Sequence, residues 1–136
     1  MKPLEAPEIR EHVDRIAGSK IFAESERLQR FLRFTVESKL ARQHERVKEY
    51  VLGREVFDRT EGYDPRLDPI VRVEARRLRS KLAEYYAGPG AAETVRLDDP
   101  QGSYLPAFVR AGAARAARGV PQKRALLLAG FMLARF

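Results

Sequence analysis

Residues 68–82 read Asp68-Pro69-Ile70-Val71-Arg72-Val73-Glu74-Ala75-Arg76-Arg77-Leu78-Arg79-Ser80-Lys81-Leu82. An Asp cap followed by proline is a typical helix start, and Gly88-Pro89-Gly90 is a typical helix end, so we predict a helix over about residues 69–87. At 100° per residue its apolar side chains fall within a sector of roughly 80°, and three arginines form a row turned from it by roughly 110°. The apolar row consists of Val71, Ala75, Leu78, Leu82 and Tyr85, and the arginine row consists of Arg72, Arg76 and Arg79.

The arginine row has two interpretations. A helix that buries one face and carries guanidinium groups beside it suits the DNA major groove, where arginine binds guanine O6 and N7. The plainer alternative is an amphipathic surface helix whose basic face is only solvated. The sequence that follows the helix favours the first interpretation, as described below.

The positive charge of the chain is concentrated near its C-terminal end. The 136 residues carry a formal net charge of +7, but residues 109–136 hold six basic residues and no acidic one. Residues 1–108 therefore carry 20 basic and 19 acidic groups, so the overall charge does not by itself indicate nucleic-acid binding. The absence of cysteine excludes disulfides and thiolate metal sites.

Apolar residues recur at helical spacing in three segments before the arginine row. We predict a short helix over residues 7–17, a second helix from an N-cap at Ser25 to about Ala41, and a third over residues 47–57. Gly53 lies inside the third segment and lowers its helix propensity by about 1 kcal/mol relative to Ala. These segments predict a helical layer on which the arginine-bearing helix packs, through residues such as Phe31 and Val36.

The segment after the arginine row has the pattern of a β-hairpin. Residues 94–97 alternate like a strand, residues 98–102 have turn chemistry, and residues 103–105 return as a second strand. The order helix, helix, helix, loop 58–68, basic helix and hairpin predicts a mainly α fold with a small β-hairpin. We interpret it as a winged helix-turn-helix, with three to four helices and a C-terminal wing.

The sequence divides into four parts: an N-terminal helical extension (1–24), a winged-helix domain (25–108), a basic linker (109–124) and an apolar tail (125–136). The tail holds a run of ten apolar or small residues, whereas a membrane-spanning helix needs about 20. It is either a short helix packed on the domain or a partner, or the first half of a transmembrane helix. We favour the second interpretation, in which the preceding basic residues keep the domain on the cytoplasmic side.

The run Arg-Arg-Leu-Arg-Ser-Lys-Leu at residues 76–82 is similar to the recognition helices of OmpR/PhoB-type winged-helix domains. Val71-x-Val73 lies where that family has Val-Asp-Val, and Gly102-Ser103-Tyr104 resembles the Gly-x-Gly-Tyr that closes the family's wing. Residues 47–57 match the positioning helix in place and length. The resemblance covers about residues 25–108 and implies a double-stranded DNA partner and a role in transcription regulation.

A closer resemblance rests on three motifs: Glu-Arg-Leu-x-Arg-Phe-Leu-Arg-Phe at 26–34, Lys-Glu-Tyr at 48–50, and Asp-Pro-Ile-Val-Arg-Val-Glu-Ala-Arg-Arg-Leu-Arg at 68–79. They resemble the CadC/ToxR-like N-terminal heads of bacterial membrane-anchored signalling proteins, often with tetratricopeptide repeats. This implies a cytoplasmic domain at the cytoplasmic face of the inner membrane. The OmpR type opens with a small sheet, whereas residues 1–24 here are predicted helical, and Arg72 replaces the family's Asp, so its base preference is not carried over.

The predicted DNA contacts on the helix are Arg72, Arg76, Arg79 and Lys81. Arg72 and Arg76 lie nearer the helix N-terminus and are expected to contact base edges, where a bidentate arginine discriminates by about 1–3 kcal/mol. Arg79 and Lys81 are expected to contact phosphates, which fix register without reading sequence.

Two further contacts are predicted at the wing, and one neighbouring arginine is excluded. Arg96 and Gln101 are expected to contact the minor groove or phosphates, although an ordinary strand position explains Arg96 equally well. Arg77 lies on another face of the helix and is expected to pair with Glu74 or Glu84. The two-fold symmetry of operators favours a homodimer on DNA, but no residue indicates the interface.

Three other functions compete with DNA binding. The near-zero net charge of residues 1–108 supports a protein-interaction module, the cytoplasmic head of a membrane-anchored signalling protein without nucleic-acid binding. Residues 110–136 could also make the chain a membrane-surface protein with a structural head. An enzyme is not expected, nor a cofactor, metal or small-molecule substrate. The histidines, His12 and His44, are expected at exposed positions, and Gly-rich phosphate loops and nucleophile motifs are absent.

Overall fold

The computed structural model describes residues 3–99 and 102–111 of the chain. This part is mainly helical with a small two-stranded antiparallel sheet, which confirms that level of the prediction. Its elements are helix α1 (Ala6–Ala17), helix α2 (Glu26–Leu40), a short 3₁₀ helix (His44–Val47), helix α3 (Glu49–Glu55), helix α4 (Ile70–Ala87), strand β1 (Val95–Asp98) and strand β2 (Ala107–Arg110). The apolar tail predicted at 125–136 and most of the basic linker lie outside the described residues. Within the described residues, no helix is long and apolar enough to cross a membrane.

Side-chain hydrogen bonds mark the starts of α2 and α4. The Oγ of Ser25 accepts a hydrogen bond from the backbone N of Leu28 at 3.3 Å, so the predicted N-cap of α2 is confirmed. Before α4, the Oδ1 of Asp68 accepts from the backbone N of Ile70 at 3.2 Å. Asp68 therefore satisfies a free N–H at the start of α4. The helix begins at Ile70, one residue later than the predicted start at Pro69.

The apolar row of α4 lies in the core. Its five residues are each at most 4% exposed: Val71, Ala75, Leu78, Leu82 and Tyr85. They share one cluster with Phe31 and Val36 of α2, as predicted, and α4 also packs against α3. Burying a side chain of this size contributes about 1.5–3 kcal/mol, so this row fixes which face of α4 points outward.

The third predicted helix differs from the prediction. Residues 47–57 do not form one helix, because Lys48 adopts an extended conformation (φ −76°, ψ 149°) between the 3₁₀ helix and α3. α3 ends at Glu55, and Val56 and Phe57 are buried beyond its end. Apolar spacing alone does not show this interruption, since the apolar residues Val47 and Val51 on either side of Lys48 keep a helix-like interval of four.

The second strand lies later than predicted. β2 is Ala107–Arg110, paired antiparallel with β1 so that Leu97 faces Phe108, whereas residues 103–105 form part of the connection. The prediction was wrong because Pro106 has no N–H to donate to a ladder, so regular pairing begins after it. β2 also crosses the boundary that we placed between residues 108 and 109.

A buried polar network attaches α1 to the end of α4 and to β1. His12 is fully buried, contrary to the expectation of an exposed histidine, whereas His44 is exposed as expected. His12 Nε2 lies 2.6 Å from the hydroxyl of Tyr86, which also accepts from the backbone N of Leu97 at 2.8 Å. His12 Nδ1 lies 3.3 Å from Glu93. These contacts are long-range, so helical spacing could not indicate them.

Glu93 is the acceptor at the centre of the network. Its carboxylate accepts hydrogen bonds from Arg15 at 2.8 and 2.9 Å and from the hydroxyl of Tyr85 at 2.6 Å. The hydrogen bonds from Arg15 hold the pKa of Glu93 at about 2, although partial burial acts in the opposite direction. The network thus joins a charged acceptor just before β1 to α1 and α4.

Candidate nucleic-acid interface

The arginine row of α4 lines a groove of about 460 Å³. The groove lies between α4, the first residue of α3 and the residues that lead from the hairpin turn towards β2. Its lining consists of Glu49, Arg72, Ala75, Arg76, Arg79, Gly102, Ser103 and Tyr104. With three arginines and one glutamate, the lining has a positive formal charge. We call this feature the α4 groove.

Arg76 and Arg79 face the α4 groove without an ion-paired or hydrogen-bonded carboxylate among the described residues. Neither guanidinium forms an ion pair or a hydrogen bond within residues 3–99 and 102–111. Arg76 is exposed and Arg79 is half-buried. Burial raises the pKa of the nearby Asp99 carboxyl to about 6, and the positive charge of Arg79 acts against this rise. Both arginines are thus available to an external anion.

Arg72 occupies a different environment from the one we predicted. Its Nη1 donates to Oε2 of Glu49 at 2.6 Å, and its Nη2 donates to the carbonyl of Pro65 at 3.0 Å. The side chain therefore joins α4 to α3 and to the 58–68 loop. These contacts use two of the five N–H donors of Arg72 and hold its guanidinium towards α3, so base reading by Arg72 stays a prediction.

The exposed arginines of α2 provide a comparison within the same protein. Arg30 donates to both carboxylate oxygens of Asp58, at 3.1 and 3.2 Å, and Arg33 donates to Asp14 at 2.7 Å. Arg27 lies 6.0 Å from the centre of the Phe57 ring. Each of these side chains has a partner inside the protein, which Arg76 does not have among the described residues.

Two further basic residues of α4, Lys81 and Arg77, do not line the α4 groove. Lys81 Nζ lies 3.8 Å from Oε2 of Glu84, one turn along the helix. Arg77 donates to both oxygens of Glu74 at 3.0 and 3.1 Å, which confirms one of the two predicted pairings. Glu74 is only 3% exposed, so Arg77 neutralises a buried carboxylate.

The structure places Arg96 away from the α4 groove. Its guanidinium carbon lies 4.5 Å from the centre of the Tyr86 ring. Tyr86 follows Arg76 by ten residues in the same helix, which corresponds to about 15 Å of helix axis. Gln101, the other predicted wing contact, lies outside the described residues.

Three groove residues with polar side chains were not predicted from the sequence as binding residues: Glu49, Ser103 and Tyr104. Burial raises the pKa of the Tyr104 hydroxyl, and the negative charge of Glu49 raises it further, so Tyr104 stays a neutral donor. Glu49 and Arg72 meet only because α3 and α4 fold together. Neither a protein-family model, nor a curated protein, nor a solved structure matches the chain.

Proposed function

We propose that residues 25–110 form a winged helix-turn-helix that binds double-stranded DNA. In this arrangement α4 is the recognition helix in the major groove, α3 is the positioning helix and the β1–β2 hairpin is the wing. The observation that carries the proposal is the contrast between two helices. The arginines of α2 have partners inside the protein, whereas Arg76 and Arg79 face the α4 groove unpaired within the described part of the chain.

The two unpaired arginines differ in exposure, and we assign them different contacts. Arg76 is exposed on the α4 surface and is suited to the O6 and N7 atoms of a guanine. Arg79 is half-buried beside Ser103 and Tyr104, and is suited to a phosphate between α4 and the wing. Lys81 and Arg96 contribute at most general positive charge, since both have contacts outside the α4 groove.

The wider role follows the family resemblance: a cytoplasmic transcription regulator, as in bacterial membrane-anchored signalling proteins. The alternative is a protein-interaction module, and one observation favours it. Leu67 is 83% exposed and Tyr50 is 43% exposed, which makes the surface near the 58–68 loop a candidate for a protein partner. A steep fall in affinity with rising salt concentration distinguishes DNA binding through the α4 groove from protein binding near the 58–68 loop.

The test measures binding of the full chain to a random-sequence duplex over a range of salt concentrations. We expect Arg76→Ala and Arg79→Ala each to weaken binding, and loss of one phosphate contact to reduce the slope of log K against log salt by about 0.9. Arg33→Ala is the matched control, because it removes an equally charged but paired side chain. All variants keep the basic residues after position 110, so their contribution cancels. Equal affinity of wild type and Arg76→Ala/Arg79→Ala would refute the proposal.

A further inference from the structure

Glu49 is an acidic residue in an otherwise basic groove. It is the first residue of α3, and its side chain is 23% exposed. It lines the α4 groove together with the three arginines. A carboxylate in this position repels phosphate, so a groove that binds DNA would bind it more tightly without this charge. Tight binding of DNA therefore does not explain the presence of Glu49 in this groove.

Glu49 also determines where Arg72 points. The 2.6 Å contact with Glu49 and the 3.0 Å contact with the Pro65 carbonyl engage both terminal nitrogens of Arg72. The Arg72 side chain is nevertheless 46% exposed, so it is within reach of solvent if the contact with Glu49 is lost. Loss of Glu49 would leave Arg72 with the Pro65 contact alone and free its Nη1 beside Arg76.

The negative charge of Glu49 acts on two nearby tyrosines, Tyr63 and Tyr104. Burial is the main cause that raises the pKa values of Tyr63 and Tyr104, and Glu49 is the next cause for both hydroxyls. Arg72 opposes this effect at both tyrosines. The Glu49–Arg72 pair is thus a local balance of charge between α3, α4 and the wing.

We propose that Glu49 limits the affinity of the α4 groove for DNA of any sequence: it engages Arg72 and adds negative charge beside the phosphates. This proposal rests on the proposed DNA-binding function. A third free arginine would contact phosphates of any sequence, whereas Arg76 contributes most where a matching base is present. A phosphate contact strengthens binding to every sequence alike, so the Glu49–Arg72 pair lowers the overall affinity and leaves the difference between sites to Arg76.

The first variant is Glu49→Gln in the full chain, measured by fluorescence anisotropy on a random-sequence duplex. We expect binding to be about two- to fivefold tighter at low salt, since a repulsive charge is removed several ångströms from phosphate. We also expect the slope of log K against log salt to steepen by about 0.9, because the released Arg72 gains a phosphate contact. Glu24→Gln is the control for net charge, since Glu24 is exposed in the connection between α1 and α2.

The second variant separates charge from structural support. In Arg72→Gln, Glu49 has lost its partner and repels phosphate, so we expect weaker binding than in the wild type. Adding Glu49→Gln should restore affinity above that of Arg72→Gln, with no steeper salt dependence than Arg72→Gln alone. If Glu49 and Arg72 only support the fold, both single variants and the double variant should bind weakly and melt at a lower temperature.

Two outcomes have different meanings. If Arg76→Ala weakens binding but Glu49→Gln does not tighten it, the inference about Glu49 is wrong and the DNA-binding function stands. If Arg76→Ala/Arg79→Ala binds as well as the wild type, the proposed function fails, and the inference fails with it. Should Glu49→Gln not fold, the comparison of Arg72→Gln with Arg72→Lys decides: restored affinity in the lysine variant supports a charge balance, and equal weakness refutes it.

Discussion

The ring of Tyr63 packs directly on Gly53 of α3, so closely that a Cβ atom at residue 53 would overlap three atoms of the ring. Tyr63 is also stacked on Tyr50, with ring centres 5.8 Å apart. These contacts join α3 to the loop that leads into α4. Gly53 is unfavourable for a helix, but a larger residue at this position would leave no room for the ring of Tyr63.

Gly53→Ala is expected to lower the free energy of unfolding by about 1–3 kcal/mol, because the new methyl group forces Tyr63 out of place. Helix propensity alone predicts the opposite sign, a gain of about 1 kcal/mol. Urea denaturation decides between them. Gly62→Ala is the control, since a Cβ there meets nothing within 4 Å, and it should change the free energy by no more than about 0.5 kcal/mol. A more stable Gly53→Ala variant would contradict the packing.

Arg76→Ala and Arg77→Ala should differ in their effect on stability although the residues are neighbours. Arg77→Ala leaves the buried Glu74 carboxylate without its partner, so we expect a loss of about 1–2 kcal/mol in the free energy of unfolding. Arg76→Ala should change the free energy by less than about 0.5 kcal/mol, because Arg76 is exposed. Thermal or urea denaturation of both variants tests this. Equal stability of the two would argue against the role of Arg77.

Protonation of His12 should lower the stability of the domain as the pH falls from 7 to 5. Burial lowers the pKa of His12 below its ordinary value of 6.5, although Glu93 acts against this. The unfolded chain then binds a proton more readily than the folded one, so acidification below pH 6.5 favours unfolding. Glu93 also lowers the stability of the folded state on acidification, but at lower pH, between its ordinary pKa of 4.5 and about 2.

The pH dependence is measured as melting temperature against pH in wild type and His12→Gln. The variant should be less stable at pH 7, since the polar network is disturbed, but its melting temperature should depend less on pH between 7 and 5. Burial raises the pKa of Asp99 to about 6, so protonation of Asp99 stabilises the folded state in part of this pH range. Both proteins carry Asp99, so the comparison isolates His12. A slope in His12→Gln equal to that of the wild type would exclude His12 as a cause.

Arg110→Ala should destabilise the attachment of α1 to β2. Arg110 donates to both oxygens of Glu8, at 2.6 and 3.2 Å, and the two side chains are only 20% and 34% exposed. We expect a loss of about 1 kcal/mol in the free energy of unfolding and faster hydrogen exchange in α1. Arg66→Ala removes a local ion pair with Asp64 in which the Arg66 side chain is 88% exposed, and it serves as the control, with little expected change. Unchanged exchange in α1 would show that other contacts hold it.

Local chemistry explains the parts of the fold that were predicted correctly. The apolar row of α4, the cap at Ser25 and the Asp68 contact depend on residues within a few positions of each other. β2 was misplaced because its start depends on Pro106 and on register with β1 rather than on alternation alone. The break at Lys48 belongs to the same class, since a single extended residue leaves the apolar spacing almost unchanged.

The candidate site was predictable where helical geometry alone decides it. Arg76 and Arg79 lie on the outer side of α4 because the apolar row is buried. The environment of Arg72 depends on Glu49, 23 positions earlier in the chain, and that of Arg96 depends on Tyr86. His12 was misjudged for the same reason, since its burial arises from α4 and β1. Spacing identifies the face of a residue, but not the partner that folding brings to it.

The contact of Arg110 with α1 has a topological consequence. Besides Glu8, Arg110 reaches the backbone carbonyl of Pro3 at 3.3 Å, so the first and last parts of the described chain meet at one edge. Between residues 3 and 110 the backbone therefore leaves from and returns to the same place beside α1. A unit whose two limits lie side by side can be carried as an insert within another chain without pulling its elements apart.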